Sequence, residues 1–164
     1  MHKVKPGIIL FVILFGLWLL LAGADRDELI VAAAASLVIS VLFAGRASAL
    51  GSVRLHPKAI AYAVIFFFVF LKELVHSTID VAGRLLSPRL PINPGIVKVR
   101  TRLKSPLGRI ILANTITLTP GTMTIETKGE YYYIHWIDIR TEDIDSSTEA
   151  IVAKFEKYLE VIFG

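Results

Sequence analysis

Apolar residues fill the first half of the chain in uninterrupted blocks and the second half in alternation. No charge occurs from Gly7 to Ala24. After Asp25-Arg26-Asp27-Glu28 a second uncharged run covers Leu29 to Gly45, and a third, Ala59 to Leu71, continues into Lys72-Glu73-Leu74-Val75. A helix rises about 1.5 Å per residue, so an apolar run of about 18 residues can cross the hydrocarbon of a bilayer. The blocks predict three apolar helices, about 7–24, 29–45 and 59–80, in a membrane part covering 1–86. The first run follows Lys3 and Lys5 and ends in Leu-Ala-Gly-Ala, so a cleaved signal peptide is its rival. Its length, and a second run only four residues later, favour a retained helical hairpin.

The third segment changes character along its length. "AIAYAVIFFFVFL" is apolar all round, as lipid requires of a helix without partners for polar groups. In "KELVHSTIDVAGRLL", Glu73, His76, Asp80 and Arg84 recur at i, i+3, i+7 and i+11, one polar stripe on a helix.

Beyond it, "SPRLPINPG" (87–95) is a Pro-rich linker, because proline restricts itself and the residue before it. In "IVKVRTRLK", Lys98, Arg100, Arg102 and Lys104 share one face, and Val97, Val99, Thr101 and Leu103 share the other, the period of a strand. Ser105-Pro106 is a helix start, with serine as cap and proline in the first turn. Two β-rich runs, "GTMTIETKG" and "EYYYIHWIDIR", meet near Lys128-Gly129 as a hairpin. "DSSTEAIVAKFEKYLEVIF" predicts a last helix, with Ile151, Phe155, Leu159 and Ile162 on one face, Ser146 or Ser147 as cap, and Glu149 in its first turn. Residues 96–164 thus predict a small α+β domain of order β-α-β-β-α, ferredoxin-like, following a membrane α-helical part.

Composition agrees with two solvents in one chain. Of 164 residues 54% are hydrophobic, and the mean hydropathy is +0.63, too apolar for an ordinary soluble domain. There is no cysteine, which excludes disulfides, zinc–thiolate sites and iron–sulfur ligation by this chain. The net charge of +4 is not gathered into a basic stripe interleaved with aromatics, so nucleic acid is excluded as a partner.

Sidedness raises a conflict. Basic residues favour the cytoplasmic side, and the tail after Arg84 is the largest basic block, so the α+β domain is assigned to the cytoplasm. Three spans then place the N-terminus outside, with Lys3, Lys5, Arg46, Arg54 and Lys58 on the disfavoured side. Two spans with an interfacial third segment would remove the conflict, but the uniform apolarity of "YAVIFFFVFL" argues for a span.

Candidate chemistry is sparse. Glu73-x-x-His76 is half of a di-iron helix signature whose second copy is missing, so no metal is expected. The stripe Glu73, His76, Asp80 and Arg84 suits a helix-packing surface, or a proton path at the membrane boundary. The basic strand face could meet anionic headgroups. His135 and Trp136 read as packing residues. No G-x-S-x-G, Walker A or G-x-G-x-x-G run occurs, so neither an enzyme activity nor a cofactor is expected.

One stretch stands apart. In "ILANTITLTPGTMTIE" five threonines flank a Pro-Gly step. A hairpin suits the alternation, but L-Pro-Gly favours a type II turn, which splays a two-residue hairpin. A phosphate loop would need more glycine and a following helix. A helix ending at Thr119-Pro120, turning through Gly121 into a strand from Thr122, suits the Ser105-Pro106 start best. Asn114, Thr119, Pro120, Gly121 and Thr122 are the candidate interaction or coupling residues.

"LANTITLTPGTMTIE", preceded by the apolar hairpin, the "LKELVHSTIDVAGRLL" helix and the "PINPGIVKV" linker, resembles the E subunit of the multisubunit Mrp (Mnh) Na+/H+ antiporters. The likeness covers nearly the whole chain. It departs after the motif, where the family often carries an aspartate-bearing, glycine-containing hairpin and this chain has "TKGEYYYIHWID". The resemblance implies a non-catalytic accessory subunit that supports assembly and ion translocation in the cell membrane, while the ion paths lie in large complex-I-like subunits. Its partners would be the other subunits of an Mrp-type antiporter and the lipid bilayer. Homologous subunits of archaeal membrane-bound hydrogenases and sulfane-sulfur reductases leave open whether the host complex is a free-standing antiporter or a redox-driven one. The alternative from another class is a stand-alone membrane scaffold or receptor whose α+β domain binds a soluble partner.

Overall fold

The computed structural model of the chain describes residues 4–164, apart from the side chain of Ser48; Lys3, one of the basic N-terminal residues, lies outside them. The chain divides into two compact units at Val53/Arg54.

The first unit is a helical hairpin. Helix α1, Val4–Ala22, and helix α2, Arg26–Phe43, are joined by a short turn in which Gly23 takes φ +97°; a 3-10 segment, Arg46–Ser52, follows. Small residues make the seam. Ala32, Ser36 and Ser40, one face of α2, are buried, and a Cβ added to Gly7 would meet the Ala44 Cβ at 3.4 Å. Close backbone approach through small residues is how helices associate where lipid removes the hydrophobic drive. At the turn end the Trp18 Nε1–H donates to Glu28 Oε2 at 2.8 Å; at the other end Lys5 Nζ donates to Gly51 O at 2.9 Å.

The second unit begins with α3, Pro57–Leu86, a single helix of 30 residues capped by the His56 Nδ1, which accepts from the Ala59 N–H at 3.0 Å. Then come β1 (Gly95–Arg100), α4 (Pro106–Leu118), β2 (Thr122–Lys128), β3 (Tyr131–Trp136) and a closing helical stretch. That stretch runs from α5, Ile144–Thr148, through a π turn at Glu149–Ala153 into α6, Lys154–Phe163. The sheet order is β1-β3-β2, with β3 antiparallel to both neighbours; Val99 faces Tyr132 on one side and Thr124 faces Ile134 on the other. Val97, Val99, Leu112, Ile116, Tyr132, Ile134, Phe155 and Leu159 form the core between the sheet and α4 and α6. Tyr62, Phe66 and Val69 of α3 pack on the same core, Phe66 meeting Phe155 edge-on at 6.4 Å.

The expected β-α-β-β-α order is present. The final strand of a ferredoxin-like β-α-β-β-α-β sheet is not found among the described residues. Among the described residues, two helices, α1 and α3, are long and apolar enough to cross a membrane, against the three apolar helices expected. Helix α2 has 18 residues, of which the first three, Arg26, Asp27 and Glu28, are charged. The last helix starts earlier than expected. Its cap is Asp143, whose carboxylate accepts from the Ser146 N–H at 2.8 Å; these bonds hold the Asp143 carboxyl below the usual range. Ser147 is buried instead, its hydroxyl donating to Thr141 O. Ser105 is the cap of α4 as expected, accepting from the Gly108 N–H at 3.2 Å.

Candidate functional site: a cleft between α3 and the Thr-Pro-Gly turn

Helix α4 ends where proline prevents a further turn. Thr119 leaves helical geometry at ψ 113°, Gly121 takes φ +91°, and the Thr122 N–H donates back to Thr119 O at 3.3 Å, the arrangement of a type II turn. The left-handed glycine is also a close approach, since an added Cβ would sit 3.0 Å from the Ile137 Cγ2 and 3.5 Å from the Val81 Cγ2 of α3.

The threonine hydroxyls are used locally. Thr115 donates to Ile111 O and Thr119 to Thr115 O, both at 2.7 Å; Thr122 donates to Ile116 O at 2.7 Å, beyond the helix end. Thr117 accepts the Thr124 N–H at 3.1 Å, and the Thr124 hydroxyl reaches Ala113 O at 3.2 Å. The Thr119 and Thr122 hydroxyls thus meet two of the carbonyls that a helix leaves unpaired at its C-terminus, and the Thr117 and Thr124 bonds tie α4 to the start of β2.

The turn and the polar stripe, separate in the sequence, line one cleft of about 250 Å³. Glu73, His76, Asp80 and Arg84 form its α3 wall, and Thr119, Pro120, Gly121 and Thr122 form the opposite one, with Asp138, Arg140 and Lys154 at the margin. Two ion pairs join α3 to the domain across it. Lys154 Nζ lies 2.6 Å from Glu73 Oε2. Arg84 is the hub: it meets Asp80 at 2.8 Å and Asp138 at 3.0 Å and donates to Pro91 O at 2.7 Å, while Arg140 flanks Asp138 at 3.7 Å. Among the described residues no group of three or more His, Asp or Glu is placed to share a metal ion. The arrangement docks one helix onto a domain through compensated charge.

Asn114 is not in this cleft. It lies exposed in a separate groove with Lys104, Arg109, Thr127 and Gly129. The Tyr132 hydroxyl, also at that groove, donates to Arg109 O at 2.9 Å, and burial pushes its phenol above the ordinary value of 10.0. The basic strand face is largely engaged within its own domain. Arg100 meets Asp145 at 2.9 Å, Arg102 meets Glu160 at 3.2 Å and Glu156 at 3.4 Å, and Lys98 stands 3.8 Å over the Tyr131 ring. Buried Glu156 also accepts the Arg102 N–H at 2.8 Å and the Thr101 hydroxyl. Sequence reasoning missed Asp138, Arg140, Lys154 and Glu156. Asp138, Lys154 and Glu156 pair with residues far along the chain, and Arg140 enters only beside Asp138, so no local spacing marks them as part of a site.

A family model described as "Na+/H+ ion antiporter subunit" matches residues 11–162. Among curated relatives, the E subunit of the Na+/H+ antiporter of Alkalihalophilus pseudofirmus is 43% identical over 77 residues, 46% of this chain and 49% of that protein. The E subunit of the Bacillus subtilis antiporter is 36% identical over 97 residues, 58% and 60% of the two chains. The matches thus span about half to three fifths of these relatives' length. A chain in the solved structure of the membrane-bound sulfane sulfur reductase, an archaeal respiratory membrane complex, superposes with TM-score 0.87 at 39% identity, over 98% of this chain and all of that one.

Proposed function

The chain belongs to the family of Na+/H+ antiporter E subunits, and on that premise we propose that it is a non-catalytic accessory component of a multisubunit membrane antiporter module. In this reading it supports assembly and ion translocation and does not carry the ion path. The observation that carries the reading is the cleft: Glu73 and Arg84 of α3 pair with Lys154 and Asp138 of the α+β domain, an arrangement suited to holding a shape for neighbours. The α+β domain faces the cytoplasm in this reading, following the basic residues after Arg84. A redox-driven host, like the respiratory complex to which the full-length structural match belongs, is as compatible with these features as a free-standing antiporter.

The test is deletion and recovery. Removing the chain from its host should abolish or sharply reduce Na+-dependent proton exchange in membrane vesicles, and the tagged chain should co-purify with complex-I-like antiporter subunits. Purification of the chain alone as a stable, transport-competent protein would overturn the proposal. So would a stand-alone scaffold's behaviour, with the isolated α+β domain binding a soluble partner while exchange is unaffected.

A further inference from the structure

Helix α3 is held by the same domain at both of its ends. Just before its first turn the Arg54 N–H donates to Ile162 O at 2.9 Å, and in its last turn Arg84 meets Asp138 at 3.0 Å. Between them Ala59 is buried, Phe66 packs on Phe155, and Glu73 pairs with Lys154. Thirty helical residues extend roughly 45 Å, more than the ~30 Å of bilayer hydrocarbon. If α3 crossed the membrane, its two end contacts would lie on opposite sides. The domain between them, with Lys154, Glu156 and Glu160 on α6, would have to sit in lipid, where ionised groups are costly.

The opposite face of α3 has no polar residue along its centre. Val64, Phe68, Leu71, Val75 and Ile79, at i, i+4, i+7, i+11 and i+15, are 42–67% exposed. Exposed Lys58 and Lys72 flank that stripe. Only residues 53–56 separate Pro57 from the 3-10 segment that closes the apolar hairpin, so a chain held in lipid by its first helices delivers α3 to the membrane surface.

We propose that α3 is not a membrane span but lies in the plane of the interface. Its Val64–Ile79 stripe sits at the headgroup–acyl boundary, and its Glu73–Arg84 stripe carries the α+β domain on the aqueous side. An apolar face opposite a charged one, with lysines at the edge, is the form of an interfacial helix. The sidedness conflict then disappears. If α2, whose uncharged Leu29–Phe43 stretch is shorter than an ordinary span, nevertheless returns the hairpin across the membrane, Lys5, Arg46, Arg54, Lys58 and the basic tail all lie on one side, as the distribution of Lys and Arg favours. The 2.9 Å bond from Lys5 to Gly51 already joins the two ends of the hairpin. This inference concerns the lie of one helix and goes beyond the accessory-subunit reading.

The chain has no cysteine, so single cysteines can be placed without background. Lys58→Cys and Arg89→Cys, bracketing α3 in the full-length protein, are to be labelled with a membrane-impermeant maleimide in right-side-out and inverted vesicles. Both should react several-fold faster from the same face of the membrane; reaction from opposite faces would overturn the proposal in favour of a span. Phe68→Cys carrying a bimane should be quenched most strongly by lipids with a nitroxide near the headgroup. Strongest quenching by a deep nitroxide, or none because another protein covers the stripe, would equally overturn it.

Discussion

Arg84 of α3 and Asp138, just beyond β3, meet at 3.0 Å, and the same guanidinium holds Asp80 and the Pro91 carbonyl. One side chain therefore fastens the end of α3, the linker and the strand exit together. Arg84→Ala should lower the thermal midpoint in detergent by several degrees and open the linker to protease. A double-mutant cycle with Asp138→Asn should give a clear coupling energy, whereas full additivity would show that the pair is not energetically linked.

Gly121 and Gly129 both have positive φ, +91° and +60°, but only Gly121 is crowded. Gly121→Ala meets the Ile137 Cγ2 as well as a disfavoured backbone, and should cost about 2–3 kcal/mol. Gly129→Ala, with open space around it, should cost about 1 kcal/mol. Denaturant midpoints of the two variants check the ranking.

Glu156 is 2% exposed and accepts from Thr101, the Arg102 N–H and the Arg102 side chain. Glu156→Ala leaves buried donors unpaired, and a loss of about 3 kcal/mol is expected. Thr101→Val, which removes one of the donors, should cost about 1 kcal/mol. Chemical denaturation measures both.

Within the core, Leu112 is fully buried between sheet and helix, while Met123 is 49% exposed. Leu112→Ala should destabilise by about 3 kcal/mol through lost burial and the cavity left behind. Met123→Ala should stay within about 0.5 kcal/mol. Equal effects would mean that the face of β2 carrying Met123 is covered in the assembled protein.

Tyr132 gives a pH dependence. Burial raises its folded phenol above the ordinary value of 10.0. Its contribution to stability is complete below about pH 10 and is lost as the pH rises through the folded value, because the unfolded chain gives up the proton first. Absorbance titration of the tyrosines should show one late-ionising phenol that disappears in Tyr132→Phe, and that variant should lose less stability above pH 10.

The local elements can be read directly in the residues. Ser105-Pro106 starts α4, Pro120-Gly121 ends it, and alternation in Val97–Leu103 marks the buried face of β1 and the segment after it; each is fixed by chain chemistry within a few residues. The cap of the last helix, expected at Ser146 or Ser147, is Asp143, and Ser147 is buried with its hydroxyl on Thr141 O; the cap is fixed by how this turn folds, not by the serines alone. The cleft is half legible. Its α3 stripe and its turn are each visible, but nothing in their spacing places them opposite one another.

The sequence by itself determined which segments are apolar, where α4 starts and stops, and, through the Thr-Pro-Gly run, the family. Tertiary structure alone decided how the polar stripe of α3 is used. Its charges pair with Lys154 and Asp138, which pattern cannot supply because each pair joins remote parts of the chain. It also decided what the threonines do: their hydroxyls complete the carbonyls at the end of α4, a need that arises only once the helix has formed and stopped.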